Sequence, residues 1–506
     1  MGKGRKGIGA IVVAGLLVAG CGARVAPYLG AASGTGVGPA TAGVGGSTGS
    51  GALPGGTSPT TTAAGGVPAG SVGSSPGVTA PAGGSGPVVG AATAGSPAPT
   101  AAPAAAGFSF QPQAEAAACP GNAGNTASDV GVTPATITLG NVSGLTGPLA
   151  NSFNQGAEGV QALFAAVDGA GGICGRQLRL TTEDDGQNAS NNAADVGDLI
   201  PKAFAFVGST SDGDNGGVPQ ITQAGVPDVG FAINCNRSQS PDYWSAAGGS
   251  CYERSGRPYI YDSGFALAKA QGYFPSRMAF ISYSIAISAQ AAQEFAYEYQ
   301  ELGGTVCYTD YSVSPATASL ASDVVQMENN HCQGVDTALD VTGMAKLLQA
   351  MAQQSYHPAY VATTFDGYTP AQITSAGTQA AQGLLVGLPF VPLDEPNPTV
   401  QLYLRQLATY EPGKEPSGFG FLAWESAQML VYALVSAGHN PTRASVTKIF
   451  GALQNWDGGG ALGPYTPATH SVSNCDVDVV VQGSAFVRKA PSSGLFCSGN
   501  LVPAGP

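Results

Sequence analysis

The sequence predicts an α/β protein with two doubly wound parallel-sheet lobes, joined by a hinge and preceded by a long disordered linker. Three observations support this prediction. Residues 25–114 contain no Asp, Glu, Lys, Arg or His and consist mostly of Gly, Ala, Thr, Ser, Pro and Val. Residues 115–506 have an ordinary globular composition. Within them, short β-rich runs alternate with amphipathic helical patterns, which is typical of parallel sheets covered by helices.

Composition excludes several classes of protein. The chain has 506 residues, of which 75 are Gly and 36 are Pro, and its formal net charge is -13. An acidic chain lacks the basic surface that nucleic acid requires, so no nucleic-acid partner is expected. The glycines keep no three-residue period, which excludes collagen.

The N-terminus has the pattern of an export signal. Basic residues precede an uncharged run over 7–20, which is shorter than the roughly 20 apolar residues of a bilayer span. Residues 1–20 are therefore predicted to be a signal peptide. Residues 17–21, Leu-Val-Ala-Gly-Cys, resemble the bacterial lipobox, which predicts that lipid on Cys21 anchors the chain to the outer face of the cytoplasmic membrane. A plain secretory signal with an incidental cysteine is the alternative.

Residues 21–114 are predicted to form the disordered linker. They offer almost no large apolar side chains to bury, whereas ordering a backbone costs about 1–2 kcal/mol per residue. The folded part is therefore expected to begin at about residue 115.

The eight cysteines that follow Cys21 are predicted to form disulfides, because scattered cysteines outside the cell are typically oxidised and no Cys-x-x-Cys pair indicates a metal or redox site. Eight cysteines allow about a hundred pairings. Proximity along the chain favours the bridges Cys235 with Cys251, Cys307 with Cys332, and Cys475 with Cys497, which leaves Cys119 with Cys174.

Nine β-rich runs and several helical faces are predicted in the folded part. The strand candidates are 136–140, 177–182, 203–207, 226–233, 278–283, 305–308, 335–341, 358–364 and 383–388. Helical spacing of three and four residues recurs over 153–167, 292–302 and 344–351. The length of the folded part fits two such lobes.

Motifs in the folded part carry a family resemblance. A strand at 137–140 leads to Thr-Gly-Pro-Leu-Ala at 146–150, then Gly-Gly-Ile-Cys-Gly-Arg at 171–176, then Glu-Asp-Asp at 183–185. This order resembles the type I periplasmic binding proteins of the leucine/isoleucine/valine-binding class, the solute receptors of branched-chain amino-acid ABC transporters. The family's usual Asn in the second turn is Cys174 here, which the proposed bridge to Cys119 explains. The resemblance spans residues 120–500.

The resemblance implies a type I periplasmic-binding fold with a ligand cleft between its lobes. Lobe 1 is expected over 115–263, completed by about 386–475, and lobe 2 over 264–385, completed by about 476–506. It further implies a monomeric, extracytoplasmic receptor for a small polar ligand, an amino acid or an amide, that delivers it to a membrane permease. No cofactor and no catalysis are implied.

Two loops of lobe 1 are candidates for ligand contact, because ligands of open parallel sheets sit beyond the carboxyl ends of the strands. Ser209 and Thr210 follow the strand at 203–207, and the family binds a carboxylate at this place. Their alternative role is to cap the helix predicted at 217–224. The second loop, Gly230, Phe231 and Ala232, is implied by the resemblance to offer backbone groups to the ligand.

Lobe 2 is expected to hold the cationic end of the ligand. Asp366 follows the strand at 358–364, where the family often places an acid against the ammonium group. An Asx-type turn before Gly367 is the alternative. Tyr283 and Thr342 follow two other strands and are candidate walls of the cleft, although Tyr283 suits the lobe core equally well.

Other chemistries find less support. The acids at 183–185 and 212–216 lack the twelve-residue calcium loop with its final Glu, and the four histidines form neither a zinc motif nor a hydrolase motif. No metal is therefore expected. A ligand-sensing lipoprotein that feeds a signalling partner is the second functional candidate, and a secreted enzyme on the same fold is the third.

Overall fold

The computed structural model describes residues 119, 121–147, 149–247, 252–254, 257–470, 473–498 and 500–503, without the side chains of 252–258. The predicted signal peptide, the lipid-bearing Cys21 and the linker over 21–114 lie outside these residues, as does Cys251. Everything below concerns the described part of the chain.

The first sheet has five parallel strands in the order β2-β1-β3-β4-β5. Its strands are β1 Thr136–Ser143, β2 Gln177–Asp184, β3 Phe206–Val207, β4 Asp228–Gly230 and β5 Tyr243–Ser245. The chain adds β2 on one side of β1 and adds β3, β4 and β5 on the other side. The crevice outside the carboxyl ends of β1 and β3, where this order switches, is therefore the expected place for a ligand.

Helices cover both faces of this sheet. One face packs against α1 Ala150–Gly169 and three helices from later in the chain, and the other face packs against α2 and α3. The remaining bounds are α2 Ala189–Leu199, α3 Val218–Ala224 and the short α4 Cys235–Ser238. The Asn188 side chain caps α2 by accepting from two backbone N–H groups in its first turn.

The second sheet repeats this arrangement and adds a hairpin. Five parallel strands run in the order β9-β8-β10-β11-β12, and β13 and β14 extend the sheet antiparallel beyond β12. The strands are β8 Arg277–Tyr283, β9 Thr305–Val313, β10 Gly334–Ala338, β11 Tyr360–Thr363, β12 Leu385–Leu388, β13 Cys475–Gln482 and β14 Ala485–Ala490.

The second sheet is also covered on both faces. Helices α5 Ser263–Ala270 and α6 Ala286–Glu301 lie on one face. Helices α7 Ala321–Asn329, α8 Val341–Gln353 and α9 Pro370–Ala376 lie on the other. Asp340 caps α8 by accepting from the Gly343 N–H at 2.8 Å.

The chain passes between the two sheets three times. After β5 it continues through β6 Tyr252–Arg254 and β7 Arg257–Tyr261 to the second sheet. After β12 it returns to pack α10 Pro398–Tyr410, α11 Gly418–Ala437 and α12 Arg443–Phe450 on the first sheet, and then it re-enters the second sheet at β13. A last strand, β16 Leu501–Pro503, pairs with β7 in a small antiparallel sheet, while β15 Phe496–Cys497 pairs with β13.

Helix α11 is the core helix of the first lobe. It is long and apolar enough to cross a membrane, but 89% of its most apolar stretch is buried inside the protein. Its Phe421 and Trp424 pack with Tyr403 of α10. This burial explains its nearly continuous apolar sequence.

The fold class predicted from the sequence is confirmed. The predicted strands occur, with shifted ends: 226–233 shortens to Asp228–Gly230, and 305–308 lengthens to Thr305–Val313. Leu385–Leu388 lies wholly in the second sheet between β11 and β13, so this strand crosses the lobe boundary expected at 385–386.

Three predicted disulfides are confirmed: Cys119–Cys174, Cys307–Cys332 and Cys475–Cys497. Cys235 is disulfide-bonded as well, and its predicted partner Cys251 lies outside the described residues. Cys174 has a positive φ of 47°. Asn, the family's usual residue here, tolerates this left-handed conformation better than most residues. In this chain Cys174 adopts the same conformation and forms the bridge to Cys119.

A glycine allows α1 and α11 to touch. A Cβ on Gly159 of α1 would lie 2.1 Å from the carbonyl oxygen of Gly420 in α11. Gly197 in α2 is exposed, and a Cβ there would meet nothing within 4 Å.

We expect Gly159→Ala to lower the free energy of unfolding by about 1–3 kcal/mol, because the backbones must separate. Gly197→Ala is the matched control and should raise it by about 0.5–1 kcal/mol through helix propensity. Urea unfolding of both variants checks this pair. Equal effects of the two substitutions would contradict the close helix contact.

Candidate functional site

One cavity of about 410 Å³ runs between the lobes and into the second one. Its first part, the interlobe chamber, lies at the carboxyl ends of the strands and is lined by Phe153, Asp212, Phe231, Asp340, Phe365, Asp366 and Phe419. Its second part, the α6 chamber, lies between α6 and the face of the second sheet that bears Asp336, Asp476 and Asp478. Among the described residues that line the cavity there is no Lys, Arg or His.

Four phenylalanines surround the interlobe chamber. Phe153, Phe231 and Phe419 come from the first lobe, and Phe365 follows β11 of the second. The ring of Phe365 contacts those of Phe419 and Phe231 edge-on, with centroids 4.8 and 5.0 Å apart. This cluster joins the two lobes across the cleft and offers aromatic faces to a ligand.

Three carboxyl groups share the same chamber. Burial, supplemented by the negative charges of Asp214 and Asp366, raises the pKa of Asp212 to about 7. One buried oxygen of Asp212 has no hydrogen-bond partner among the described residues. Asp366 accepts from the Thr364 hydroxyl, and burial raises its pKa to about 7. Asp340 accepts from the Tyr283 hydroxyl at 2.5 Å. The chamber is therefore acidic and suited to a cationic group.

A buried ion pair positions the loops of the first lobe. The Arg237 guanidinium donates twice to Asp228, at 2.8 Å each, and once to Asp214 at 3.2 Å. Asp214 in turn accepts from the Ile233 N–H at 2.7 Å and from the backbone of Asn234. These contacts hold the loop that presents Phe231 to the cavity.

The hydroxyl groups predicted to bind a carboxylate already have partners within the lobe. Ser209 Oγ accepts from the Val142 N–H at 3.1 Å, and Thr210 Oγ1 donates to the Phe153 carbonyl at 2.7 Å. Neither residue lines the cavity. Neither residue caps α3, because that helix begins after Gly217 without a side-chain cap. Both residues instead tie the end of β3 to neighbouring segments.

The backbone groups of the second loop that are predicted to bind the ligand also have hydrogen-bond partners within the lobe. The Tyr243 hydroxyl donates to the Gly230 carbonyl at 2.7 Å and accepts from the Ala232 N–H at 2.6 Å. Phe231 between them lines the cavity with its ring. The structure therefore brings the ring of Phe231 to the cavity, and the contact of this loop with a ligand stays a prediction.

In the second lobe, Asp366 lines the cavity within a short 3-10 turn, Phe365–Gly367. Tyr283 is buried in the lobe core, which matches its alternative role, and Thr342 is exposed on the first turn of α8. Neither lines the cavity. Of the eight predicted ligand contacts, the structure therefore brings Phe231 and Asp366 together at the chamber.

Several lining residues escaped sequence reasoning. Asp340 follows β10 as Asp366 follows β11, so the same strand-end rule would have found it. Asp212 belongs to the acidic segment 212–216, whose sequence indicates no ligand site because it lacks a calcium loop. Glu294 and Glu298 lie four residues apart on α6, and this spacing is the sequence signal of the α6 chamber. The phenylalanine cluster has no sequence signal, because its members come from four distant segments.

Two doubly wound lobes with a ligand-sized cavity between them define a solute-binding protein. The sequence profile of the family described as periplasmic binding protein matches residues 136–483, and the chain belongs to this family. The resemblance found in the sequence motifs is thereby confirmed. Membership implies an extracytoplasmic location and a small-molecule ligand, and the family consists of binding proteins rather than enzymes. A search of curated protein sequences finds no match.

Solved structures share the fold at low identity. A fatty acid ABC transporter substrate-binding protein from Thermomonospora curvata has 16% identity and a TM-score of 0.61, covering 75% of this chain and 96% of that one. The branched-chain amino acid transporter substrate-binding protein LivJ from Streptococcus pneumoniae, in complex with isoleucine, has 15% identity and a TM-score of 0.58, covering 70% and 100%. A solute-binding protein from R. palustris in complex with 4-hydroxybenzoate has 16% identity and a TM-score of 0.57, covering 71% and 97%.

The buried carboxyl groups predict how stability depends on pH. In the folded state the pKa values of Asp212 and Asp366 are about 7, against an ordinary value of 3.8. The folded protein therefore binds more protons between these values, so its extra stability is complete below pH 3.8 and is lost as the pH rises through 7. We expect Asp212→Asn to reduce this loss in ligand-free protein, measured by urea unfolding at several pH values. Exposed Asp198→Asn is the control, and an identical pH profile for both variants would count against the buried acid.

The Arg237 ion pair predicts a large effect of one substitution. Arg237→Met leaves two buried carboxylates without their cation, which should lower the free energy of unfolding by about 3–5 kcal/mol. Arg179→Met removes a pair whose arginine side chain is 52% exposed, so its effect should stay within about 1 kcal/mol. Denaturant titration of both variants measures the difference, and a small effect at Arg237 would show that the network is dispensable.

Proposed function

We propose that this protein is a lipid-anchored, extracytoplasmic receptor of an ABC importer, and that it binds a small amine-bearing ligand such as an amino acid between its lobes. The observation that carries the choice of ligand is the lining of the interlobe chamber. Four aromatic rings and three carboxyl groups surround a space without a basic side chain among its described residues. An ammonium group gains from both, through ion pairing and through the faces of the rings.

The cationic end of the ligand is assigned to Asp366, with Asp212 and Asp340 nearby. The two lobes contribute differently to this site. Asp340 and Asp366 belong to the second lobe, whereas Asp212 and three of the phenylalanines belong to the first. A bound amine therefore touches both lobes, and its binding favours their closed arrangement.

An anionic end, where the ligand has one, is assigned to the first turn of α6. Ile287 and Ser288 line the cavity, and this turn has neither a side-chain cap nor an acidic residue. Its free N–H groups and the helix dipole attract a carboxylate. This replaces the contact with Ser209 and Thr210 that the family resemblance suggested.

Anchoring through Cys21 and delivery to a permease complete the proposal. The lipobox motif supports the first, and family membership together with the ABC-transporter relatives supports the second. Loss of solute uptake in a deletion strain separates this role from that of a sensor.

We expect Asp366→Asn to weaken binding of the amine by about 2–5 kcal/mol, because the ligand's cation would lose its buried partner. Calorimetry over amino acids, simple amines, isoleucine and 4-hydroxybenzoate measures affinity and identifies the ligand class. Asp198→Asn, at an exposed acid of α2, is the control and should bind normally. Binding of carboxylates alone, or unchanged affinity in Asp366→Asn, would reject the assignment.

A further inference from the structure

Helix α6 turns an acidic face toward the α6 chamber. Gln290, Glu294 and Glu298 recur every four residues and line the cavity together. The Gln290 amide donates to Glu294 at 2.8 Å. Glu298 is only 6% exposed, and no described residue donates a hydrogen bond to its carboxyl group. A buried acid that faces a cavity and has no hydrogen-bond donor is suited to bind a cation.

The sheet opposite this helix face is acidic as well. Asp336 has the Thr337 N–H as its donor at 2.7 Å, and Asp476 has the Ser263 hydroxyl. Asp478 accepts from Tyr273 at 2.5 Å. Lys489 is exposed and acts on Asp478 from the edge of the sheet. The remaining carboxyl groups of the chamber have no basic neighbour among the lining residues.

Burial raises the pKa of Glu298 well above its ordinary value, and the charges of Asp476, Asp262, Asp336 and Glu294 raise it further. Burial also raises the pKa values of Asp336 and Asp476 to about 7. Burial also raises the pKa of Asp478, to about 6. Tyr360 of this wall stays protonated because burial raises its pKa strongly. Near neutral pH these carboxyl groups therefore retain protons that a bound cation would displace.

We propose that the α6 chamber binds a second cationic group of the ligand, so that the preferred ligand is an elongated organic cation with two or more charges, such as a diamine or polyamine. The inference rests on the proposed function, which assigns the first amino group to Asp366. Phe265, Phe295 and Tyr360 line the α6 chamber and suit the methylene chain between the two charges.

A single metal ion fits this chamber less well than an organic cation. Within the described part of the chain, no three of these carboxyl groups bring oxygens within 4.8 Å of one another. A metal ion needs its ligands close together, whereas ammonium groups with three donors each can reach carboxylates that lie apart.

The test compares cadaverine, which has two charges, and spermidine, which has three, with pentylamine, which has one, by calorimetry on the full chain. We expect cadaverine and spermidine to bind at least about tenfold more tightly than pentylamine, through the added charge pair. Glu298→Gln should abolish this preference while changing pentylamine affinity by less than about twofold. Glu425→Gln is the matched control, since Glu425 is buried in α11 away from the cavity. Asp336→Asn provides a second variant should Glu298→Gln not fold.

A second readout is proton release, obtained by repeating the titrations in buffers of different ionisation enthalpy. Cadaverine should release more protons than pentylamine at neutral pH, and Glu298→Gln should remove the difference.

Equal affinity for the mono- and diamines, or equal weakening of both by Glu298→Gln, would overturn the inference. A Glu298-dependent rise in melting temperature with Ca²⁺ alone would overturn it in favour of a metal site. If pentylamine or amino acids bind through Asp366 without a diamine preference, the proposed function stands and this inference falls; if no amine binds, both fall.

Discussion

The ion pair between Arg237 and its two aspartates is the constraint on which the binding edge of the first lobe depends. It joins the loops after β3 and β4, since Arg237 also donates to the Ser209 carbonyl at 3.0 Å. Charges buried this deeply are stable only with complete partners. The network therefore occupies Asp214, Asp228 and the Ser209 carbonyl, while the ring of Phe231 and the carboxyl group of Asp212 line the cavity. The first lobe contributes three of the four aromatic rings and one of the three carboxyl groups of the interlobe chamber, and the second lobe contributes the other two carboxyl groups.

Most of the fold could be predicted from the sequence, whereas only part of the site could. The strands of a parallel sheet that is covered on both faces are buried and therefore apolar. Apolar runs such as 278–283 can thus be recognised as strands from the sequence alone. Ser209 illustrates the limit. A hydroxyl after a strand suits a ligand, but whether it is free depends on Val142, which lies far away in sequence. Asp366 lies at the cavity, after the strand where the sequence predicts it, and its contact with a ligand stays a prediction.

The two sheets share one strand pattern and differ in charge. Each has its second strand outside the first, followed by the third, fourth and fifth, and each directs its strand ends toward the cleft. Around this common frame the second lobe carries Asp336 in β10, Asp340 after β10 and Asp366 after β11, whereas the first lobe pairs Asp214 and Asp228 with Arg237 and leaves Asp212 at the cavity. Similar topology therefore carries a different distribution of charge in each lobe.

The pairing of β16 with β7 has a consequence for how the molecule is made. An exported chain emerges from its N-terminus, so Arg257–Tyr261 reaches the outside long before Leu501–Pro503, its partner in the small sheet. The second sheet is also completed late, because β13, which pairs with β12, follows the helices over 398–450 that pack on the first lobe. Contacts of such long sequence separation form slowly. All the strands and covering helices of the first sheet therefore reach the outside before β13, and the second sheet and the small sheet are completed only by the last strands of the chain.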